Sequence, residues 1–267
     1  FRKSHGGGVQ ARALFVAIQK AEPELMLAIE QSAEAAGELL VTRVAELRHS
    51  TRFAVTVPPS IGTLAALLFV VNQNQSDLSA QNVQYVATLF RHRDFSIAIQ
   101  DGAYRGLLQE MLGTWIARGE GWDVLQAIHM ALQYDLPQGL VPAKRVLSGE
   151  VDQHIQPYTR CYALLTFAKF GDESHISLVE RFLDDTTPYA GTVKANSKAK
   201  YRPQIRDVAL AVLVRLTKQD HRDFGFVRLT LHSAHVFTTN SVAFEDDSKR
   251  EEAIKKWRVF RAGGDSA

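Results

Sequence analysis

Four apolar-striped segments of this chain fall into one register, and that register limits the fold more than any other feature. Aligned without gaps, AIHMALQYDLPQGLVPAKRVL from Ala127 matches ALLTFAKFGDESHISLVERFL from Ala163. Ala127 falls on Ala163, Ile128 on Leu164, Tyr134 on Phe170, Leu140 on Ile176 and Arg145 on Arg181. IRDVALAVLVRLTKQD then places Arg206 on Arg160, Ala209 on Ala163 and Leu213 on Phe167. In KREEAIKKWRVF, Ala253 falls on Ala209, Trp257 on Leu213 and Phe260 on Leu216. The aligned alanines lie about 36, 46 and 44 residues apart, the period of two-helix repeat units.

The apolar spacing is helical. Ile205, Val208, Ala209, Val212, Leu213 and Leu216 follow i, i+3, i+4, i+7, i+8, i+11, which leaves Arg206, Asp207 and Arg215 outside the stripe. Two helices with stripes of this width cannot cover each other fully. They must stack on the next pair, so a run of pairs builds one continuous core. Leu165, Val179, Leu183, Val208, Val212 and Leu213 are the expected core positions.

With this period and the segment Gln204-Ile205-Arg206-Asp207-Val208-Ala209-Leu210, the chain resembles HEAT repeats over residues 121–260. The resemblance implies an all-α, right-handed α-α superhelix of stacked helix pairs. The expected domains are a HEAT-like, armadillo-like domain at 121–267 and a helical region at 1–120 continuous with it. Two insertions, 184–204 and 218–248, interrupt the period. The resemblance implies little about activity, because HEAT arrays serve as scaffolds, adaptors, transport factors and some enzymes.

In the first half, residues 9–21 form a predicted helix. Pro23 suits the first turn of a second, which runs on through Leu25, Ile29, Ala36, Leu40 and Leu47 with Arg43 outward. Phe53, Val55 and Val57 alternate as a short extended piece before Pro58 and Pro59. Helices are predicted at 60–72, 79–92 and 104–118, the second capped by Asp77 or Ser79. The run IGTLAALLFVV is about half of what a membrane span needs and reads as a buried helix.

Composition narrows the functional classes. A net charge of +2 is too small to argue for nucleic-acid binding by itself. A single cysteine, Cys161, precludes an internal disulfide and any four-cysteine zinc site, and fits a reducing, cytoplasmic setting. The chain starts at Phe1 without methionine, as an excised domain of a longer protein would.

No GxSxG, Walker loop, HExxH or GxGxxG occurs in the sequence. Cys161 sits on an apolar helix face and reads as a small core residue. His221, His232 and His235, with Asp220 and Asp223, lie close in sequence but lack the spacing of a metal site, so no metal or cofactor is expected. Asp246, Asp247 and Ser248 read as helix-capping residues.

Charge is the stronger lead. From Pro188 onward the chain carries about +6, against about −4 before it. Arg145 and Arg181 occupy equivalent places on two second helices, which line the concave face of HEAT arrays. Lys194, Lys198, Lys200 and Arg202 lie in the first insertion, a long polar loop whose residues 190–202 are expected to be exposed and mobile. The expected function is non-enzymatic: a scaffold or interaction domain presenting a helical groove and these six basic residues to a protein partner. An enzyme on a HEAT-like scaffold and a nucleic-acid-binding array are the alternatives.

Overall fold

The computed structural model describes residues 8–52, 60–73, 86–91, 93–119, 124–151, 155–191, 193–194 and 200–264. The expected extended piece at 53–57 and the cap at Asp77 or Ser79 lie outside them. The chain is all-α apart from two short antiparallel hairpins among the described residues. It divides into two compact units, 1–130 and 131–267.

The first unit contains α1 (Val9–Ala21), α2 (Pro23–Gln31), α3 (Ala33–Arg52), α4 (Ile61–Gln73), α5 (Arg93–Gln100) and α6 (Arg105–Arg118). α4 is apolar all round, and Gly62 through Asn72 are all buried. Such a helix is stable only when surrounded, and α1, α3, α5 and α6 pack against it. Gly62 permits the closest approach, since a Cβ there would collide with the Ala17 carbonyl of α1. The Asn72 amide donates to Met111 O at 2.9 Å, and Arg118 donates to Asn72 O.

The single long second helix expected from Pro23 is divided. Ser32 is extended, with φ −164°, and its hydroxyl accepts the Ala35 N–H at 3.0 Å, which caps a new helix, α3. Arg43, expected to face solvent, turns back instead to chelate the buried carboxylate of Glu22 at 3.0–3.2 Å. The sequence reading also missed α5, whose Phe95 packs 5.0 Å from Phe90.

The unit boundary falls within α7 (Val124–Tyr134). The second unit continues with α8 (Leu140–Ser148), α9 (Pro157–Phe170), α10 (Ile176–Glu180), α11 (Ile205–Leu216) and α12 (Asp247–Gly264). β1 (Val193–Lys194) pairs with β2 (Lys200–Tyr201), and β3 (Leu231–His232) with β4 (Val236–Phe237). α8 packs on α9, α9 and α10 on α11, α11 on α12, and α8 touches α10. All six expected core positions are buried.

The Gly171-Asp172 junction between α9 and α10 works as a cap. Asp172 accepts the Ser174 N–H at 2.9 Å, and His175 Nδ1 accepts the Asp172 N–H at 3.2 Å. α10 is only five residues long. Beyond it, Phe182 N–H bonds Val179 O and Leu183 N–H bonds Glu180 O, i to i−3 turns that tighten the chain out of α-geometry.

Asp207 departs from its expected outward position. It is fully buried at the third position of α11, where it accepts the Gln204 N–H at 2.9 Å and pairs with Arg250 of α12 at 2.5 Å. The stripe did not predict this, because the partner lies 43 residues away.

Candidate functional site

α9 and α11 lie side by side. An open cleft of about 840 Å³ forms where they end. Ala168, Ala211, Val214 and Leu216 supply its apolar helix-borne surface. The chain leaves α11 through a 3-10 turn at His221–Phe224, and the β3–β4 hairpin then returns to pack on α9. Leu231 and Phe237 of this hairpin complete the apolar lining, and Leu231 stays 71% exposed.

The polar rim divides by element. Asp172, Glu173 and Ser174 come from the turn after α9, whereas Arg215, Lys218 and His221 come from the end of α11 and the turn beyond. Cations suit helix C-termini, where carbonyls lack partners. Arg215 illustrates this, donating Nε–H to Ala168 O at 2.8 Å. Lys218 holds φ +55° and has no carboxylate partner among the described residues. Val236, next to the lining residue Phe237, holds φ +68°. For a β-branched residue this is an outlier costing about 1–3 kcal/mol, and such strain concentrates at binding elements.

A polar node fixes the hairpin. Lys169 on α9 donates to Leu132 O at 2.6 Å and Ala234 O at 2.9 Å, and pairs with Asp135 at 2.6 Å. His232 Nδ1 accepts the N–H groups of Ala234 and His235 at 3.2 and 3.1 Å, so its proton sits on Nε2. The two imidazoles stack with centroids 4.6 Å apart and planes 10° apart, and His235 meets Tyr162 edge-on at 5.2 Å. Burial, then the neighbouring His232 and Lys169, hold the His235 pKa below the ordinary histidine value. Cys161 is fully buried, and burial pushes its thiol pKa up, away from reactivity. No cluster of three or more metal-ligating side chains occurs among the described residues.

The six basic residues singled out in the sequence are distributed as follows. Arg145 lies in the last turn of α8, and Arg181 is the exposed C-cap residue of α10; the two helices are neighbours. Lys194 and Lys200 face each other in the β1–β2 register. Arg202 follows that hairpin and is exposed, while Lys198 lies outside the described residues.

The base of this insertion is anchored, and Tyr201, within the stretch 190–202 expected to be exposed, is buried. Tyr189 and Tyr201 are buried, Pro188 bridges Gln204, and the Tyr189 hydroxyl donates to Thr239 O. The sequence reading missed the cleft because its walls are brought together by contacts across some 50 residues.

No protein-family model, curated protein or solved structure matches the chain.

Proposed function

We propose that this chain is a non-enzymatic, HEAT-like interaction domain. Its α9–α11 cleft receives a segment of a protein partner carrying apolar and acidic side chains. The observation that carries the reading is the lining: apolar helix ends and a strained hairpin beside Lys218, a cation with no carboxylate partner among the described residues. An apolar side chain would seat against Leu231 and Phe237, and a carboxylate would turn toward Lys218 and Arg215. The packing of α8 on α9 and of α9 and α10 on α11 supports consecutive stacking of helix pairs. Arg145, Arg181, Lys194, Lys198, Lys200 and Arg202 would extend the contact and steer association by charge.

A displayed random-peptide library tests this directly. Wild-type protein should enrich peptides that combine an apolar anchor with Asp or Glu. Leu231→Asp with Lys218→Glu should abolish that enrichment, and Arg145→Glu with Arg181→Glu should weaken it. Equal enrichment by wild type and the Leu231→Asp, Lys218→Glu variant would overturn the cleft reading.

A further inference from the structure

Several arginines near the two insertions are neutralised by carboxylates. Arg206 pairs with Asp247 at 2.8 Å, Arg250 with Asp207 at 2.5 Å and Arg222 with Asp220 at 2.8 Å. Arg228 differs. Its guanidinium lies 3.8 Å from the centroid of the Tyr201 ring. Its Nη1 is closed off from solvent and donates to no acceptor, and no carboxylate pairs with it among the described residues.

A guanidinium stacked on a ring uses its face and leaves its in-plane N–H edge for other partners. That edge matches the paired oxygens of a carboxylate or phosphoryl group. Nη1, closed off from solvent, is out of an anion's reach, so Nε and Nη2 are the donors that would meet it, and the half-buried guanidinium has less water to give up. The ring is braced as well: Tyr201 belongs to β2, is 8% exposed, and pairs with Val193 across the hairpin.

We propose that Arg228, braced on Tyr201, is an oxyanion-binding residue that takes a carboxylate or phosphoryl group from an acidic protein segment. The arrangement favours a protein over a single-stranded nucleic acid. Bases need an open aromatic face to stack on, and Arg228 covers that of Tyr201. The inference rests on the proposal that the partner is a protein, but not on the cleft.

The test follows the Arg228 Nε–Hε resonance, assigned by its loss in Arg228→Lys, in the full chain at low salt. The probes are hexaglutamate, a six-residue peptide bearing two phosphoserines, hexaglutamine and a twelve-residue oligothymidylate. One or both acidic peptides should shift the resonance, and which of them does so identifies the oxyanion; hexaglutamine should leave it unmoved. Arg228→Gln should bind the active peptide about tenfold or more weakly, the size expected for a charged hydrogen-bonding contact. Tyr201→Phe should bind like wild type, and Tyr201→Ala should lose affinity, provided that its circular dichroism and melting match the parent.

The Leu231→Asp, Lys218→Glu variant should keep the full Arg228 response, which separates this site from the cleft. Three results would each overturn the proposal: no shift with either acidic peptide, undiminished peptide binding by Arg228→Gln, or tighter Arg228-dependent binding of oligothymidylate than of either peptide.

Discussion

At the residue scale, the Asp207–Arg250 pair is the most consequential contact in the second unit. Both side chains are almost wholly buried, 0% and 4% exposed, so each carries a desolvation cost that the other chiefly offsets, with help from the Gln204 N–H on Asp207 and from the exposed Asp247 on Arg250. Burial alone would raise the Asp207 pKa, while Arg250 and the Gln204 N–H pull it back. Asp207→Ala should therefore destabilise by about 3 kcal/mol, the low end for a broken buried pair, because Arg250 loses its buried partner but keeps the exposed Asp247. Replacing both partners, Asp207→Leu with Arg250→Met, should recover most of that loss. Urea denaturation of the two single variants and the double variant gives the coupling. Additive losses would show that the pair does not act as a unit.

At the scale of elements, two behaviours are expected. α11 is buried along nearly its whole length, and Leu213 sits at its centre. Leu213→Ala should cost about 2–5 kcal/mol by lost burial and cavity formation, read from the denaturation midpoint; an unchanged midpoint would contradict the stripe.

The β3–β4 hairpin should respond to acid. Facing His235 are His232 on its own hairpin and, on α9, Lys169 and Tyr162; Asp135 and Tyr158 lie one contact further out. The His235 pKa is depressed in the folded chain, so the unfolded chain binds more protons as pH falls through the ordinary value of 6.5. The contribution of His235 to stability is therefore present above that value and is lost as pH drops through the depressed folded value. Hydrogen exchange at Thr238, whose N–H bonds Thr230 O at 2.9 Å, should accelerate on acidification beyond its intrinsic pH dependence. α11 should not follow, and His235→Gln should flatten the response.

At the scale of the whole molecule, each unit has helices enclosed by their neighbours: α4 in the first, and α9 and α11 in the second. Exchange protection follows burial and contact density. The slowest amides should therefore form two groups, centred on α4 and on α9 with α11. If α12, exposed along much of its length, proved slowest instead, this account of the two cores would fail. No helix among the described residues is long and apolar enough to cross a membrane, so α4 owes its hydrophobicity to enclosure by neighbouring helices.

The sequence alone determined the helical class, the α1 span, the buried character of α4 and the core stripes of α9 and α11. Each is a local pattern whose period is written in consecutive residues. Tertiary structure decided the break at Ser32, the inward turns of Arg43 and Asp207, and the anchoring of Tyr189 and Tyr201. The Ser32 break is a local cap that the apolar stripe running through it concealed, whereas the others depend on partners 21 to 50 residues away, as with Arg43 on Glu22 and Tyr189 on Thr239. The candidate sites belong to the second kind. Leu231, Lys218 and Arg228 are unremarkable in sequence and gain meaning only because the second insertion folds back over the ends of α9 and α11 and against Tyr201. A polar or charged side chain can face water or a buried partner with the same local spacing, and only the folded chain supplies the partner.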